Sequence, residues 1–456
     1  MTHGSDDRTA RRGRRGPARW WALVLPVVLV GILASCAAVM VLAFRQDEDG
    51  EVEIVVLAGQ DLSGARKAQI DHWNSQHRND GWSARLVSLP PSADAQRVET
   101  AARLAAGDPV DLVVMDVTQT PEFARAGYLR RMSGVDTSGF LAGPLDTCRY
   151  EGRLWALPLN TDAGLLFLNL DRFRKLTERR SPGSSFPETD FENATLTESV
   201  SRIGSMLRED DRAGKVARAA FAGQFADYEG YTVNMLELLR AEKAPLDGGG
   251  FDLDDPASVN AMQTVSEVLE QDRVLPPEVS GLTEDSATAA FLTGDVVLMR
   301  NWPVAYRTLR DESRERKMRI DSWVKVAPLR SGVLGGQNIA VTRSSRHPRA
   351  ARSLAEFLTG DLSQQALFEK GGFASTRESV YSDPRIGQAY PYADALLTAV
   401  KDARPRPAGP HYWRFSVLFR RIVECARTHD GTLPQRAGEL LDRAGKGKTT
   451  DFRCED

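Results

Sequence analysis

The sequence predicts an α/β protein. Short β-branched apolar runs alternate with helical stretches at roughly thirty-residue spacing, the rhythm of strands joined by crossover helices. One of those runs, residues 111–116 (DLVVMD), is apolar on both faces, as a buried parallel strand requires. The chain has 456 residues, 42% of them hydrophobic and 27% charged, enough for two to four domains at about 100–200 residues each. That composition excludes collagen-like, disordered, disulfide-dense and multi-span membrane classes.

In order along the chain, residues 51–58 (EVEIVVLA) read as a first strand. Residues 66–77 read as a helix, with Ile70 and Trp73 three apart on its apolar face. Residues 83–89 form a second strand, and Ser92-Ala93-Asp94 caps a helix that reaches Ala106 and stops at Gly107. The third strand is 111–116. Ligands in such sheets bind beyond the carboxyl ends of the strands, so Gly59-Gln60-Asp61 and Asp116 are expected at one rim. Further helices are expected over 198–207, 232–241, 258–269 and 349–358, with Asp254-Asp255-Pro256 as a helix start. Residues 179–189 are rich in Ser and Pro and read as a surface insertion. A turn-rich stretch, 403–410 (ARPRPAGP), precedes a long helical segment.

The first fifty residues read as an address. Residues 1–36 hold six Arg and two Asp, a balance of +4, whereas residues 37–456 hold 53 basic and 60 acidic side chains, a balance of −7. Residues 20–44 then run without a charge, and acid follows at Asp47, Glu48, Asp49, Glu51 and Glu53. Positive charge before an apolar run keeps the N-terminus cytoplasmic and puts the body outside, tethered at the outer face of the cytoplasmic membrane. Leu33-Ala34-Ser35-Cys36 looks like a bacterial lipobox, in which Cys36 is the lipidated residue. Residues 37–44 stay apolar, so an uncut membrane-spanning anchor is the alternative. A mildly acidic body lacks the basic face that phosphate contacts need, which excludes nucleic acid as the main partner. Beyond Cys36 lie Cys148, Cys425 and Cys454; outside the cell Cys425 and Cys454 can pair and pin the C-terminal tail, or all three stay as thiols. No CxxC exists, which argues against metal or redox chemistry through cysteine.

Six segments carry a resemblance. They are 108–129 (DPVDLVVMDVTQTPEFARAGYL), 155–169 (WALPLNTDAGLLFLN), 228–238 (YEGYTVNMLEL), 290–306 (AFLTGDVVLMRNWPVAY), 334–341 (LGGQNIAV) and 404–416 (RPRPAGPHYWRFS). In this order they resemble the extracellular solute-binding proteins of bacterial ABC importers, and within them the trehalose/maltose-binding proteins. The resemblance implies a two-lobed, type II periplasmic-binding-protein-like fold that closes over ligand by hinge motion. It implies crossings between the lobes near Asn160, at 329–335 and near Ala374. One lobe is then 51–161 with 334–374, the other 162–333 with 375–456. The partners it implies are a sugar and the permease subunits of an importer, for a monomeric receptor with no cofactor and no reaction of its own.

A sugar presents hydroxyl edges and weakly apolar faces, so a site needs rings for the faces and carboxylates, amides or Arg for the hydroxyls. The resemblance makes Trp302 the stacking platform, the alternative being a core Trp. It makes Asp116 a hydroxyl-binding carboxylate, the alternative being a cap on the strand end, and puts Gln60 and Asp61 in polar ligand contact, although Asp61 also suits a helix cap. Asn160 and Asp162 flank the first crossing, where the Asn160 amide can both donate to and accept from one sugar hydroxyl, and Asp162 suits either ligand contact or a bond to the hinge backbone. Tyr228 and Glu229 match a loop of the second lobe that reaches the cleft, and Arg377 matches a turn at the third crossing. Gly335-Gly336 lets backbone approach ligand closely, with Gln337 beside it. Tyr412, Trp413 and Arg414 offer a second ring or a guanidinium fork. Gln119 stands where the family often carries Trp, a departure that bears on which sugar is bound.

The rival readings are an enzyme and a sensor. No HExxH or GxSxG motif occurs, and Gly447-Lys448-Thr449 lacks both the glycine and the preceding strand of a P-loop. Paired carboxylates for glycoside hydrolysis remain open on sequence grounds. A permanently inserted anchor suits a sugar-sensing receptor that is not coupled to transport.

Overall fold

A computed structural model describes residues 52–178, 191, 193–209, 213–246 and 251–454. The anchor segment with Cys36 and the insertion at 179–189 therefore lie outside the described residues. No helix among the described residues is long and apolar enough to cross a membrane.

The strands in chain order are β1 (Val52–Gly59), β2 (Trp82–Leu89), β3 (Leu112–Asp116), the hairpin β4 (Arg149–Tyr150) and β5 (Arg153–Leu154), and β6 (Leu157–Asp162). They continue with β7 (Leu165–Asn169), β8 (Ala219–Ala222), β9 (Val296–Asn301), β10 (Val324–Pro328) and β11 (Gly335–Val341). Two main sheets result, one of five strands in the order β2-β1-β3-β11-β6, the other of four in the order β10-β7-β9-β8. β3 is buried from Leu112 to Met115 and emerges only at Asp116, because its apolar run ends there.

The first sheet is mixed, which corrects the expectation of a parallel sheet around the third strand. β3 is parallel to β1 on one side but antiparallel to β11 on the other, with Leu112 opposite Val341 and Asp116 opposite Gln337. The reason is connectivity. β11 enters from the other sheet rather than through a crossover helix, so it runs against its neighbours.

Five helices position the site. The helix α1 (Ala65–Gln76) buries Ile70 and Trp73. The helix α2 (Ala93–Ala106) starts where Ser92 Oγ accepts the Ala95 N–H at 3.2 Å and ends at Gly107 in the left-handed region, φ 76°. The helix α3 (Glu229–Ala241) is buried nearly throughout. The helix α4 (Glu284–Thr293) opens on a reciprocal cap between Thr283 and Ser286. The helix α5 (Tyr412–Arg427) packs against α3, with Thr232 Oγ1 and Ser416 Oγ 2.7 Å apart. The start expected at Pro256 is present, capped by Asp255, which accepts the Ala257 N–H at 2.8 Å.

The chain passes from the first sheet to the second through Ala163 and Gly164, between β6 and β7, and back through residues 329–334, between β10 and β11. A third strand of chain runs beside them: the Ala374 carbonyl accepts the Thr161 N–H at 3.0 Å. Beyond it, the helix Ala393–Asp402 packs on β10. Cys425 and Cys454 are joined in a disulfide, their Cα atoms 5.5 Å apart, and Cys148 is buried and free. Burial pushes the Cys148 thiol well above its ordinary range. His429 is the remaining member of a group with those two sulfurs, but the disulfide occupies both sulfurs as ligands.

Candidate ligand-binding site

Register builds one wall. Across β3, β11 and β6, Asp116 faces Gln337, Gln337 faces Asn160, and Asp162 faces Gly335. Four of the expected polar residues therefore share one edge of the five-stranded sheet. Behind them lies Arg66, in the first turn of α1 and 5% exposed. Its guanidinium donates to Gln337 Oε1, to Asn160 Oδ1 at 3.4 Å and to the Gly59 carbonyl at 3.5 Å, and it stacks 4.5 Å from the Phe373 ring centre. Arg66 Nε has no partner. Burial lowers the Arg66 pKa, against the pull of Asp61 and Asp162.

Asp162 is the least satisfied carboxylate of this wall, receiving one bond, from Asn160 Nδ2 at 3.3 Å. Burial pushes its pKa up to about 7; Arg66 and Arg300 pull it back, and the like charge of Asp116 pushes it further up. Asp61 sits apart from this row. Its two oxygens accept the N–H groups of Ser63 and Arg66, both at 2.8 Å, so the carboxylate caps α1. Gln60, beside it, is exposed.

The opposing wall follows β9. Its last residues, Arg300 and Asn301, are wholly buried, and the strand delivers Trp302 half-buried at its end. The indole lies against β11: a Cβ placed on Gly335 would meet the ring at 3.0 Å. One ring face is covered by Arg300, whose guanidinium carbon is 3.9 Å from the ring centre. The indole N–H points to Glu284 Oε1 at 3.4 Å, and the Tyr228 hydroxyl donates to Glu284 Oε2 at 2.5 Å. Burial and Glu284 raise the Tyr228 pKa far above its ordinary value, so the phenol stays a donor.

A third group joins the walls. Arg406 is 2% exposed in its side chain and bridges Glu229 at 2.7 Å and Asp116 at 3.0 Å. Glu229 also accepts from the Tyr412 hydroxyl at 2.5 Å and from Ser416 at 2.6 Å. Burial raises the Glu229 pKa, opposed by Arg406. Arg420 extends the bridge, donating to Asp227 at 2.8 Å and to Asp94 at 2.9 Å, while Asp94 accepts the Glu229 N–H at 3.1 Å. Trp413 belongs to this seam, with the guanidinium carbons of Arg97 and Arg414 at 4.8 and 4.9 Å from its ring centre. Arg414 itself is exposed.

The structure thus gathers Asp116, Asn160, Asp162 and Gln337 on one side, and Tyr228, Glu229, Trp302 and Tyr412 on the other. It does not bring Arg377 to them. That guanidinium lies 3.6 Å from the Phe140 ring centre and donates to the carbonyls of Thr359 at 2.9 Å and Ser138 at 2.6 Å. Sequence reasoning missed Arg66, Glu284 and Arg406. Arg66 left a signal, since a cation in the first turn of a helix opposes the helix dipole and needs another reason to be there. Glu284 left none, because an acid in a first turn is what the dipole favours. Arg406 stands in a Pro-rich stretch without periodicity. Chemically, the assembled groups offer carboxylates and amides that accept from hydroxyls, guanidinium groups that donate to them, and ring faces for apolar patches.

Comparison with known proteins bears on the fold and the family. Over 452 residues the chain is 24% identical to a probable ABC transporter-binding protein of Deinococcus radiodurans, covering 94% of this chain and 99% of the relative. The maltose-bound MalE3 of T. maritima is similar in structure, with a TM-score of 0.72 and 26% identity, covering 87% of this chain and 98% of that one. The GacH receptor of Streptomyces glaucescens shares the fold, with a TM-score of 0.71 and 20% identity, covering 88% of this chain and 99% of that one. Residues 73–393 match the bacterial extracellular solute-binding protein family, and the chain belongs to that family.

Proposed function

We propose that this protein captures a di- or oligosaccharide between its two lobes and delivers it to the permease subunits of an ABC importer. The lobes are 51–161 with 334–374, and 162–333 with 375–456. The body works as a monomer outside the cell, held at the cytoplasmic membrane by its N-terminal segment, either through lipid on Cys36 or as an uncut span. We assign it no reaction, in keeping with a family and structural relatives that are binding proteins.

One observation carries the reading: a row of carboxylates and amides on β3, β11 and β6, able to accept from sugar hydroxyls, stands near a half-buried indole at the end of β9. Hydrogen bonds to charged groups contribute about 1.5–3 kcal/mol each, and a buried ring about as much. Three such bonds and one ring total about 6–12 kcal/mol gross, against about −8 kcal/mol net for micromolar binding. Most of the row must therefore engage the ligand. The maltose carried by the relative from T. maritima supports the sugar class.

A thermal-shift screen against di- and oligosaccharides tests the proposal. A ligand at a hundredfold excess over its Kd raises stability by about 2.7 kcal/mol. A folded sample that shifts with no sugar overturns the carbohydrate assignment.

A further inference from the structure

Glu237, on α3, has a wholly buried carboxylate in contact with three separate parts of the molecule. Its oxygens accept from Arg300 Nε at 2.6 Å and Arg300 Nη2 at 2.9 Å, a two-pronged pair whose guanidinium is also held by Gln224 at 2.8 Å. Glu237 Oε1 accepts, in addition, the backbone N–H of Val333 at 3.1 Å. Val333 is in the second passage between the sheets, where its neighbours bond to the Arg404 strand: Leu334 N–H to the Arg404 carbonyl at 2.9 Å, and Arg404 N–H to the Gly332 carbonyl at 3.1 Å. The same oxygen presses on the first passage. A Cβ at Gly164 would lie 2.5 Å from it, so only glycine fits there.

One carboxylate thus touches both covalent links between the sheets, and its partner guanidinium forms the floor beneath Trp302. The path from indole to hinge is short, and beyond the half-buried ring it runs through Arg300, Glu237 and Val333, all wholly buried. Any tilt of the indole changes the Arg300 contact, and any rotation about the passages changes the Val333 bond.

We propose that Glu237 and Arg300 are positioning residues that couple the attitude of the Trp302 ring to two of the three passages between the lobes, those through Gly164 and Val333. A ligand stacked on the indole face away from Arg300 then favours one setting of the hinge, without touching the hinge itself. The effect on ligand rests on the sugar-receptor reading; the mechanical coupling does not.

The test has two arms, both on the full chain. In the first, amide hydrogen exchange is followed in the unliganded protein and in its Trp302→Leu and Glu237→Gln variants. Trp302→Leu speeds exchange of the Val333 amide at least fivefold, while amides within β10, such as Val326, keep their rates and exclude general loosening. A Val333 amide that exchanges at its original rate in Trp302→Leu overturns the coupling, and this outcome needs no ligand and no change at Glu237.

In the second arm, maltose affinity is measured by calorimetry in a double-mutant cycle. Glu237→Gln weakens binding about tenfold in the original protein and less than twofold when Trp302 is already Leu, and Glu237→Asp, which restores the charge, recovers part of the loss. Additive effects of the two substitutions overturn the coupling. If the original protein does not bind maltose, the cycle is run with a sugar that shifts it in the thermal screen; binding of no screened sugar counts against the receptor reading instead, and the exchange arm then decides the coupling alone.

Discussion

Arg406, itself buried, holds the buried carboxylate of Glu229 and the partly exposed one of Asp116, which come from distant stretches of chain, and its removal leaves both without their cation. Breaking a buried pair by deleting one partner costs about 3–5 kcal/mol, so Arg406→Ala should lose about that much stability in a urea titration. Loss below about 1 kcal/mol would mean that water already reaches the pair. Asp162 answers to pH. Its pKa rises from 3.8 to about 7 on folding, so the native state keeps a proton that the unfolded chain has already released between those values. Its contribution therefore falls as pH climbs from about 4 to about 7 and is level above. A hydroxyl donating to the ionised carboxylate reverses that preference, so sugar binding should weaken from pH 8 to pH 6 and release a proton near neutrality. Asp162→Asn should flatten the profile; affinity that varies with pH equally in that variant would assign the titration elsewhere. At Trp302, replacement by Ala should reduce affinity about tenfold to a hundredfold, the worth of roughly one buried ring, as read by calorimetry.

At the scale of elements, what was legible followed from periodicity. β1, β2 and β3 and the helices α1 and α2 stand within a residue or so of their expected bounds, because an apolar run or a capped amphipathic stretch decides its own conformation. Pairing across the sheet was not legible. β11 lies between β3 and β6 and supplies the register that puts Asp116, Gln337 and Asn160 side by side, yet nothing local in GGQNIAV says which strands flank it. The same holds for the coil around Arg406, whose position depends on two distant acids. Asp61 shows the converse case: both roles, cap and contact, fit its sequence, and the carboxylate is found on the helix. Gly336 offers an element-level test. It has φ 118°, and a Cβ there would lie 2.3 Å from the Asn160 carbonyl oxygen, a backbone atom that has no freedom to swing away. Gly336→Ala should lower the melting temperature and weaken ligand together, at a cost of about 1–3 kcal/mol or more. Gly64→Ala, with φ 69° but open space around it, should cost about 1 kcal/mol or a little more and spare binding.

Across the whole molecule, elements of the two sheets are tied to each other by charge. Arg406 reaches Asp116, Arg420 reaches Asp94, and Arg97 stacks on Trp413. The Arg420–Asp94 pair is partly exposed, with Asp94 at 38%, so salt screens it, whereas the Arg406 pair is shielded. Small-angle scattering should therefore find the unliganded protein larger in 1 M NaCl than in 0.1 M, and larger again in Asp94→Ala. An unchanged radius in both would mean that these ties do not govern the opening.

The staple between Cys425 and Cys454 has a practical corollary. It clamps the end of the described chain to the helix that carries Tyr412, Ser416 and Arg420. A fluorophore or immobilisation handle fused there would ride rigidly with that helix rather than wander, which makes the tail an attachment point for a reagentless optical sensor of occupancy. Under reducing buffer the handle would come loose and the signal would fade.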